Sequence, residues 1–395
     1  MDFHAARMAP GWTSPSDLSA PSAPATRQLA LRFTGSGSEY LRIWIVNLLL
    51  TLVTLTLYAP FAKLRRLRWQ YANTLVDGQP LGFHGDAWKM LRGHLLILVF
   101  AGVYLAAGRF SATAGLLASA ALAALWPALW QASLRFRLAN TSWRGVRLQF
   151  TGSLGEAYAA VAPMLLPAAL ALASFVRPAE PGTEAPWWLA LAPLATGLLW
   201  PWVAFRMKRY QHAHYHWAGQ TTRLDTTAGA FYGVNFRAGM VVVLPVFLVG
   251  VVAAILLPAL SSHKQPAHTG AVVFIGLMGM IALGYVTALI FGQAYLLARM
   301  QNLIWGHTRS DKLRFLSALE VRPVMAQLAR NLVFTALTLG LYWPFGWVRL
   351  TALRLGSLQI EASEDPALWV AGTAPSAGSA VGDAAGDLLD IDVGL

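Results

Sequence analysis

Eight long stretches of this chain carry no Asp, Glu, Lys or Arg, and that spacing constrains the fold more than any other feature. They lie between Arg42 and Lys63, Arg92 and Arg109, Arg109 and Arg135, Glu156 and Arg177, Glu184 and Arg206, Arg237 and Lys264, Lys264 and Arg299, and Arg330 and Arg349. Most approach the roughly 20 residues that an α-helix needs to cross about 30 Å of hydrocarbon. The second is short, so Arg109 is expected to snorkel to the interface. The seventh is long enough to tilt or to run past the bilayer. Only 12% of the residues are charged and 56% are hydrophobic, against about 25% charged in a soluble domain. The expected fold is an all-α polytopic membrane protein with about eight hydrophobic helices.

The net charge of +12 raises nucleic acid as a partner, but its distribution argues otherwise. Segments 63–94, 134–156, 206–238 and 298–330 hold 6, 4, 5 and 6 of the 30 Lys and Arg residues. The short turns between paired spans hold only Arg109, Arg177 and Lys264. Positive charge resists translocation, which places the four basic loops in the cytoplasm. Contact with anionic lipid is the expected consequence, with no nucleic acid. The chain has no Cys, which excludes thiolate chemistry, Cys-ligated metals and disulfides.

Composition also sets the expected domain limits. Residues 1–28, rich in Ala, Ser and Pro, lack the basic-then-apolar order of a signal peptide and read as disordered. Residues 361–395 carry seven acids and no Lys or Arg, and read as an acidic disordered tail. The transmembrane domain is expected over 29–360.

Within that domain the sequence repeats itself. Ala72-Asn73-Thr74, Gly78, Phe83 and Gly85 match Ala139-Asn140-Thr141, Gly145, Phe150 and Gly152 at identical spacing. Pro60, Pro127 and Pro201 each stand 18 residues before Gly78, Gly145 and Gly219. A fourth, decayed copy runs through Arg299, Asn302, Gly306 and Leu313-Arg314-Phe315. Each copy reads as a helix with basic and aromatic residues at the headgroup level, then a turn, then a short alternating segment such as Leu148-Gln149-Phe150-Thr151. Leu31-Arg32-Phe33-Thr34-Gly35 has the same form. These segments are expected to be short β-like strands that pair in the cytoplasm.

The first and last apolar segments are related to each other. Residues 47–61 align without gaps to 331–345. An apolar length near 20 residues favours spanning at 43–62 and 331–348. The position of Arg349 and Arg354 favours a re-entrant hairpin, which is tolerated only where protein or water covers it. Eight apolar segments are the preferred reading, with spanning or re-entry of the two end segments and the side of both termini open.

Thr34-Gly35-Ser36-Gly37, Glu39-Tyr40, Asn47 through Tyr58-Ala59-Pro60-Phe61, the basic-aromatic stretch to Asn73-Thr74, and Gly78 together resemble the bacterial YjgN-like inner-membrane family. The resemblance covers roughly residues 29–360 and departs at Thr56, where the family usually has Gly and where the related segment keeps Gly340. It implies a multi-pass protein of the bacterial cytoplasmic membrane. The family is a domain of unknown function, so the resemblance supplies no catalytic residue.

Candidate sites follow from polar residues in apolar surroundings. Asn47, Thr51, Thr54 and Tyr58 recur on one helix face, and Asn331, Thr335, Thr338 and Tyr342 repeat them. Two readings stand: a lined pathway, or helix packing through hydrogen bonds worth about 0.6 kcal/mol each. His212, His214 and His216 are a weak metal candidate, set against an interfacial basic cluster beside Lys208 and Arg209. Glu39, Glu156 and Glu320 read as helix caps, and Gln131 and Gln293 as interhelical contacts. Gly35-Ser36-Gly37-Ser38 lacks the Lys-Ser/Thr ending of a phosphate loop, and no nucleophile elbow or His-Glu-x-x-His occurs. No enzyme and no cofactor is expected. Two functions remain: a transporter or channel for a small solute or lipid, and a scaffold that organises lipids or partner proteins.

Overall fold

The computed structural model describes residues 27–165, 167, 168, 191–260 and 267–370. The chain is mostly helical. Four helices are long and apolar enough to cross a bilayer: Ala87–Phe110, Thr113–Ala139, Ala228–Ile255 and Phe274–Gly306. The first, with 24 residues, rises about 36 Å, which exceeds the hydrocarbon thickness.

In chain order the helices are α1 (Gly37–Val53), α2 (Ala59–Ala72), α3 (Ala87–Phe110), α4 (Ala112–Ala139), α5 (Leu154–Val161), α6 (Leu191–Ala213), α7 (Ala228–Leu260), α8 (Ala267–Gly306), α9 (Val321–Leu337), α10 (Trp343–Gly356) and α11 (Pro366–Val370). The strands are β1 (Arg27–Phe33), β2 (Thr74–Val76), β3 (Gln79–Pro80), β4 (Gly82–Phe83), β5 (Thr141–Trp143), β6 (Val146–Arg147), β7 (Gln149–Phe150), β8 (Tyr215–Trp217), β9 (Gln220–Thr221), β10 (Arg223–Leu224), β11 (Thr308–Arg309), β12 (Leu313–Ser317) and β13 (Leu358–Ala362). The strands expected in the basic loops are therefore present, and they pair.

At the first and last segments the structure takes the hairpin alternative. Both fold as helical hairpins, α1–α2 and α9–α10. Asn47 Nδ2 donates to the Ala62 carbonyl at 3.2 Å, a contact that a straight helix 15 residues long cannot make. The two turns have the same construction. Thr54 Oγ1 donates to the Leu50 carbonyl and accepts from the Tyr58 N–H; Thr338 does the same with Phe334 and Tyr342. The Thr56 and Gly340 N–H groups donate to the Thr51 and Thr335 carbonyls, each at 2.8 Å. Pro60 and Pro344 open the returning helices, where no N–H is needed. Most polar backbone groups at the turn thus find partners locally, as an apolar surrounding requires. Leu55 and Leu339 at the tips are exposed, which suits a hairpin that dips into hydrocarbon.

Thr56 adopts φ +75°, while Gly340 carries the equivalent φ of +96°. A β-branched residue is strained there, at a cost of about 1–2 kcal/mol. Thr56→Gly is expected to raise the thermal unfolding midpoint, measured in detergent, and Gly340→Thr to lower it.

Among the described residues the strands form a closed circuit through five helix–strand units. The stretch 79–83 is bent: β3 pairs with β2, and β4 with β5. The stretch 146–150 links β5 to β8 in the same way, and 220–224 links β8 to β11. β11 pairs with β12, and β12 with β13. β1 closes the circuit, with Arg27–Ala30 on β13 and Leu31–Phe33 on β2. One backbone bond recurs at all five joints. The N–H groups of Thr34, His84, Thr151, Asp225 and Ala318 donate to the carbonyls of Asn73, Asn140, His214, His307 and Ser357.

The helices follow the same circuit. Beyond the hairpin partners, α2 packs on α3, α4 on α5, α6 on α7, α8 on α9, and α10 back on α1. Seven residues past each incoming strand end, Tyr40, Met90, Ala157, Phe231 and Val324 are fully buried as the anchors of the five joints. The folded part reaches Val370, ten residues past the domain limit expected at 360. Residues 1–26 and 371–395 lie outside the described residues, as do 169–190, across the end of the fourth expected span and the start of the fifth.

Candidate functional site: the interior of the strand ring

The hairpin tips bring the strands to one end of the helices. Asp77-Gly78, Arg144-Gly145 and Ala218-Gly219 have positive φ at both central residues. That is the tight two-residue turn whose twist matches paired strands. Inside the ring lies a cavity of about 200 Å³, lined overwhelmingly by carbon and drawing residues from all five units. Leu31, Leu81, Leu148 and Phe315 come from the incoming strands, and Val76, Trp143, Trp217 and Ile360 from the strands they meet. Gln70, Arg137 and Gln211, at matching positions two residues after Arg68, Arg135 and Arg209, form a polar collar.

The outer end of the ring is sealed. The Trp143 and Trp217 rings stand 4.7 Å apart, and Trp369 on α11 lies 6.2 Å from Trp217. Trp143 Nε1 donates to the Val76 carbonyl. An ion-pair cluster lies over the seal: Asp77 accepts from Arg27 at 2.8 Å and from Arg144 at 2.7 Å, and Asp365 accepts from Arg27 at 2.8 Å. Lys312 holds Glu364 at 2.6 Å, and that bond keeps the Glu364 carboxyl below the usual carboxylate range.

Struts tie each helix to the strand end that follows it. Arg68 donates to the Gly85 carbonyl, Arg135 to Gly152 and Asn302 to Leu319, always 17 residues ahead. Gln131 adds a second donor to Gly152. This register puts Asn302 where the earlier units have Arg68 and Arg135.

The three histidines separate by role. His214 Nδ1 bonds the Tyr210 carbonyl at 2.7 Å, the place that Asn73 and Asn140 fill as caps on Trp69 and Phe136. His216 bonds Thr221. His212 is buried against Trp305, and its Nδ1 lies 3.0 Å from Thr308 Oγ1. Among the described residues no group of three metal-ligating side chains occurs. Nor is His212 part of a basic cluster: burial, with Lys208 nearby, pushes it well below the ordinary histidine range.

His212 therefore folds neutral, while the unfolded chain protonates near pH 6.5. Its stabilising effect is complete above about pH 6.5 and is lost as pH falls below that value towards the depressed native one. The thermal midpoint of the protein is expected to drop between pH 7.5 and 5.5, and the drop to shrink in His212→Gln.

The polar faces are divided by the hairpin turns. Asn47 and Thr51 line a groove beside α2 and α3, whereas Thr54 and Tyr58 belong to the turn. In the last hairpin Asn331 Oδ1 accepts from Gln327 at 2.6 Å and packs against Gly346. Thr338 belongs to the turn, Tyr342 accepts from Arg349, and Thr335 supplies the turn's carbonyl. Among the described residues, the groove that Asn47 and Thr51 line takes none of Asn331, Thr335, Thr338 and Tyr342. Glu156 forms a capping box with Ser153, whose bonds hold its pKa low. Glu39 stands in the first turn of α1, and Glu320 is an N-cap without a side-chain bond.

Helices of membrane-crossing length and these exposed apolar faces define a multi-pass membrane protein. The chain belongs to the family described as "Bacterial protein of unknown function (DUF898)", whose model matches residues 28–388. It is 23% identical over 353 residues to the "Inner membrane protein YjgN" of Salmonella typhimurium, covering 85% of this chain and 89% of that one. It is 29% identical over 123 residues to the protein of the same name from Escherichia coli O157:H7, 31% of each chain. Its location is the bacterial inner membrane. No solved structure matches.

Proposed function

We propose that the chain holds the apolar part of a lipid-like amphiphile inside its strand ring and transports such amphiphiles, without catalysing a reaction. The observation that carries this reading is the carbon-lined cavity of about 200 Å³ shared by all five units. Left empty, a cavity of that size costs on the order of 5 kcal/mol, a large share of ordinary net stability. Apolar cavities of this size stay dry and take apolar guests. The collar of Gln70, Arg137 and Gln211 would face the polar end of the guest. The Trp seal and the carbon lining argue against a channel for a small hydrated solute.

Repeated joints, struts and buried anchors support a common origin of the five units as internal repeats, with about eight apolar segments. The basic loops that form the ring would lie in the cytoplasm and contact anionic lipid. A scaffold that organises lipids or partner proteins is the second reading. It is supported by the ion-paired closed face formed by Arg27, Asp77, Arg144 and Asp365.

The test uses purified protein in nanodiscs with acyl chains brominated near the methyl end. Quenching of a variant that keeps only Trp143, Trp217 and Trp305 is the expected result. No quenching beyond that of a soluble brominated control would overturn the ring as a lipid site and favour the scaffold.

A further inference from the structure

We infer that the groove between the α1–α2 hairpin and α3 is a binding site for one phosphodiester headgroup that also carries a hydrogen-bond donor. The groove encloses about 360 Å³ and is lined by Asn47, Thr51, Lys63, Arg66, His94 and Trp343. Asn47 is 8% exposed. Its amide orientation is set because Nδ2 donates to the Ala62 carbonyl, which leaves Oδ1 as an acceptor. That oxygen and His94 Nε2 are buried and meet no partner among the described residues. Buried polar atoms left this way are costly, and they mark a place where a ligand group belongs.

The last hairpin is an internal control. Its Asn331 aligns with Asn47, but Gln327 satisfies Asn331 Oδ1, where the first hairpin has Ile43. Lys63 and Arg66 align with Trp347 and Leu350. His94, nine residues past Gly85, aligns with Trp44, nine residues past Gly35. In the last joint Trp44 and Trp343 pack at 6.1 Å. The same scaffold is thus filled with carbon at one joint and lined with an amide oxygen, an imidazole and two cationic side chains at another. Those changes fall together on one groove.

The lining also states what fits. Lys63 and Arg66 match an anionic oxygen, with Arg able to hold phosphate by two bonds. Asn47 Oδ1 requires a donor. A phosphate without a donor leaves it unmet. The amine of phosphoethanolamine and the hydroxyls of phosphoglycerol both satisfy the set, and the apolar side of the groove lies against lipid. The site is separate from the ring interior, so it stands whether or not the ring holds a guest.

The experiment counts lipids retained by the full chain in native mass spectrometry, from nanodiscs of phosphatidylcholine doped with phosphatidylethanolamine, phosphatidylglycerol or diacylglycerol. One phosphatidylethanolamine or phosphatidylglycerol should be retained over phosphatidylcholine and diacylglycerol, and the stronger arm identifies the donor. Ile43→Gln supplies the internal donor of the last hairpin, and His94→Trp supplies its ring. Each should weaken the selective retention by about tenfold while folding normally, since each copies a solution the chain already uses. Ala30→Asp, on the exposed face of β1 and outside both cavities, should leave it unchanged. Equal retention of all four lipids, or selective retention undiminished in both groove variants, overturns the site.

Discussion

Leu29→Asp should remove nearly all folded protein. Leu29 is fully buried, sits opposite Ile360 in the β1–β13 pair, and packs with Val76, Trp143, Trp217 and Ala362. A carboxylate placed there loses its water and gains no partner. The effective penalty is several kcal/mol, against a total stability of about 5–15 kcal/mol. Ala30→Asp is the matched control: it stands one residue along the same strand, on the exposed face, opposite Gln359. The measurement is the monodisperse fraction on size exclusion in detergent. Folded yield should collapse for Leu29→Asp and hold for Ala30→Asp. Equal yields would mean that β1 does not close the ring.

Leu148→Trp should empty the ring of its guest while sparing the fold. Leu148 is half-buried, lines the cavity, and precedes β7 with its N–H donating to the Thr141 carbonyl. A side chain that grows into open space avoids most of the overpacking cost of about 1–3 kcal/mol. Filling the space also removes the penalty of a void, so the thermal midpoint should hold or rise. Acyl-chain quenching of the ring tryptophans should fall by about tenfold or more, the loss expected when about 1.4 kcal/mol of contact disappears. Retained quenching with a normal fold would place the amphiphile elsewhere.

The sequence made much of this plan legible, and the limits have physical causes. The charge-free runs located α3, α4, α7 and α8 because lipid forbids unpaired charge. The recurring Asn-Thr and Gly spacing located the strand hairpins, because a turn with two positive φ values favours few residues. Sequence leaves spanning and hairpin readings of the end segments both open because Thr51, Thr54 and Tyr58 sit at helical spacing from Asn47, and only backbone bonds show the reversal. His214 drew attention as a metal ligand. Its alignment with Asn73 and Asn140 was a usable signal that it caps a helix. Ring closure was harder to see. Leu31-Arg32-Phe33-Thr34-Gly35 was recognised as repeat-like, yet nothing local says that it completes the unit ending at Ala362. The groove lined by Asn47 and His94 depends on two helices far apart in the chain, and periodicity within one helix cannot reveal it.

The pairing of β1 with β13 has a consequence for how the protein is made. β1 is made well before the strand that completes its pairing. Residues 27–33 must therefore wait, half paired on β2, while three hundred residues are inserted. A nascent chain stalled between β12 and Leu358 leaves β1 and β12 each with an unsatisfied strand edge, the kind of surface that recruits chaperones or aggregates. Completion of the ring is in this sense a molecular record that β13 has been made.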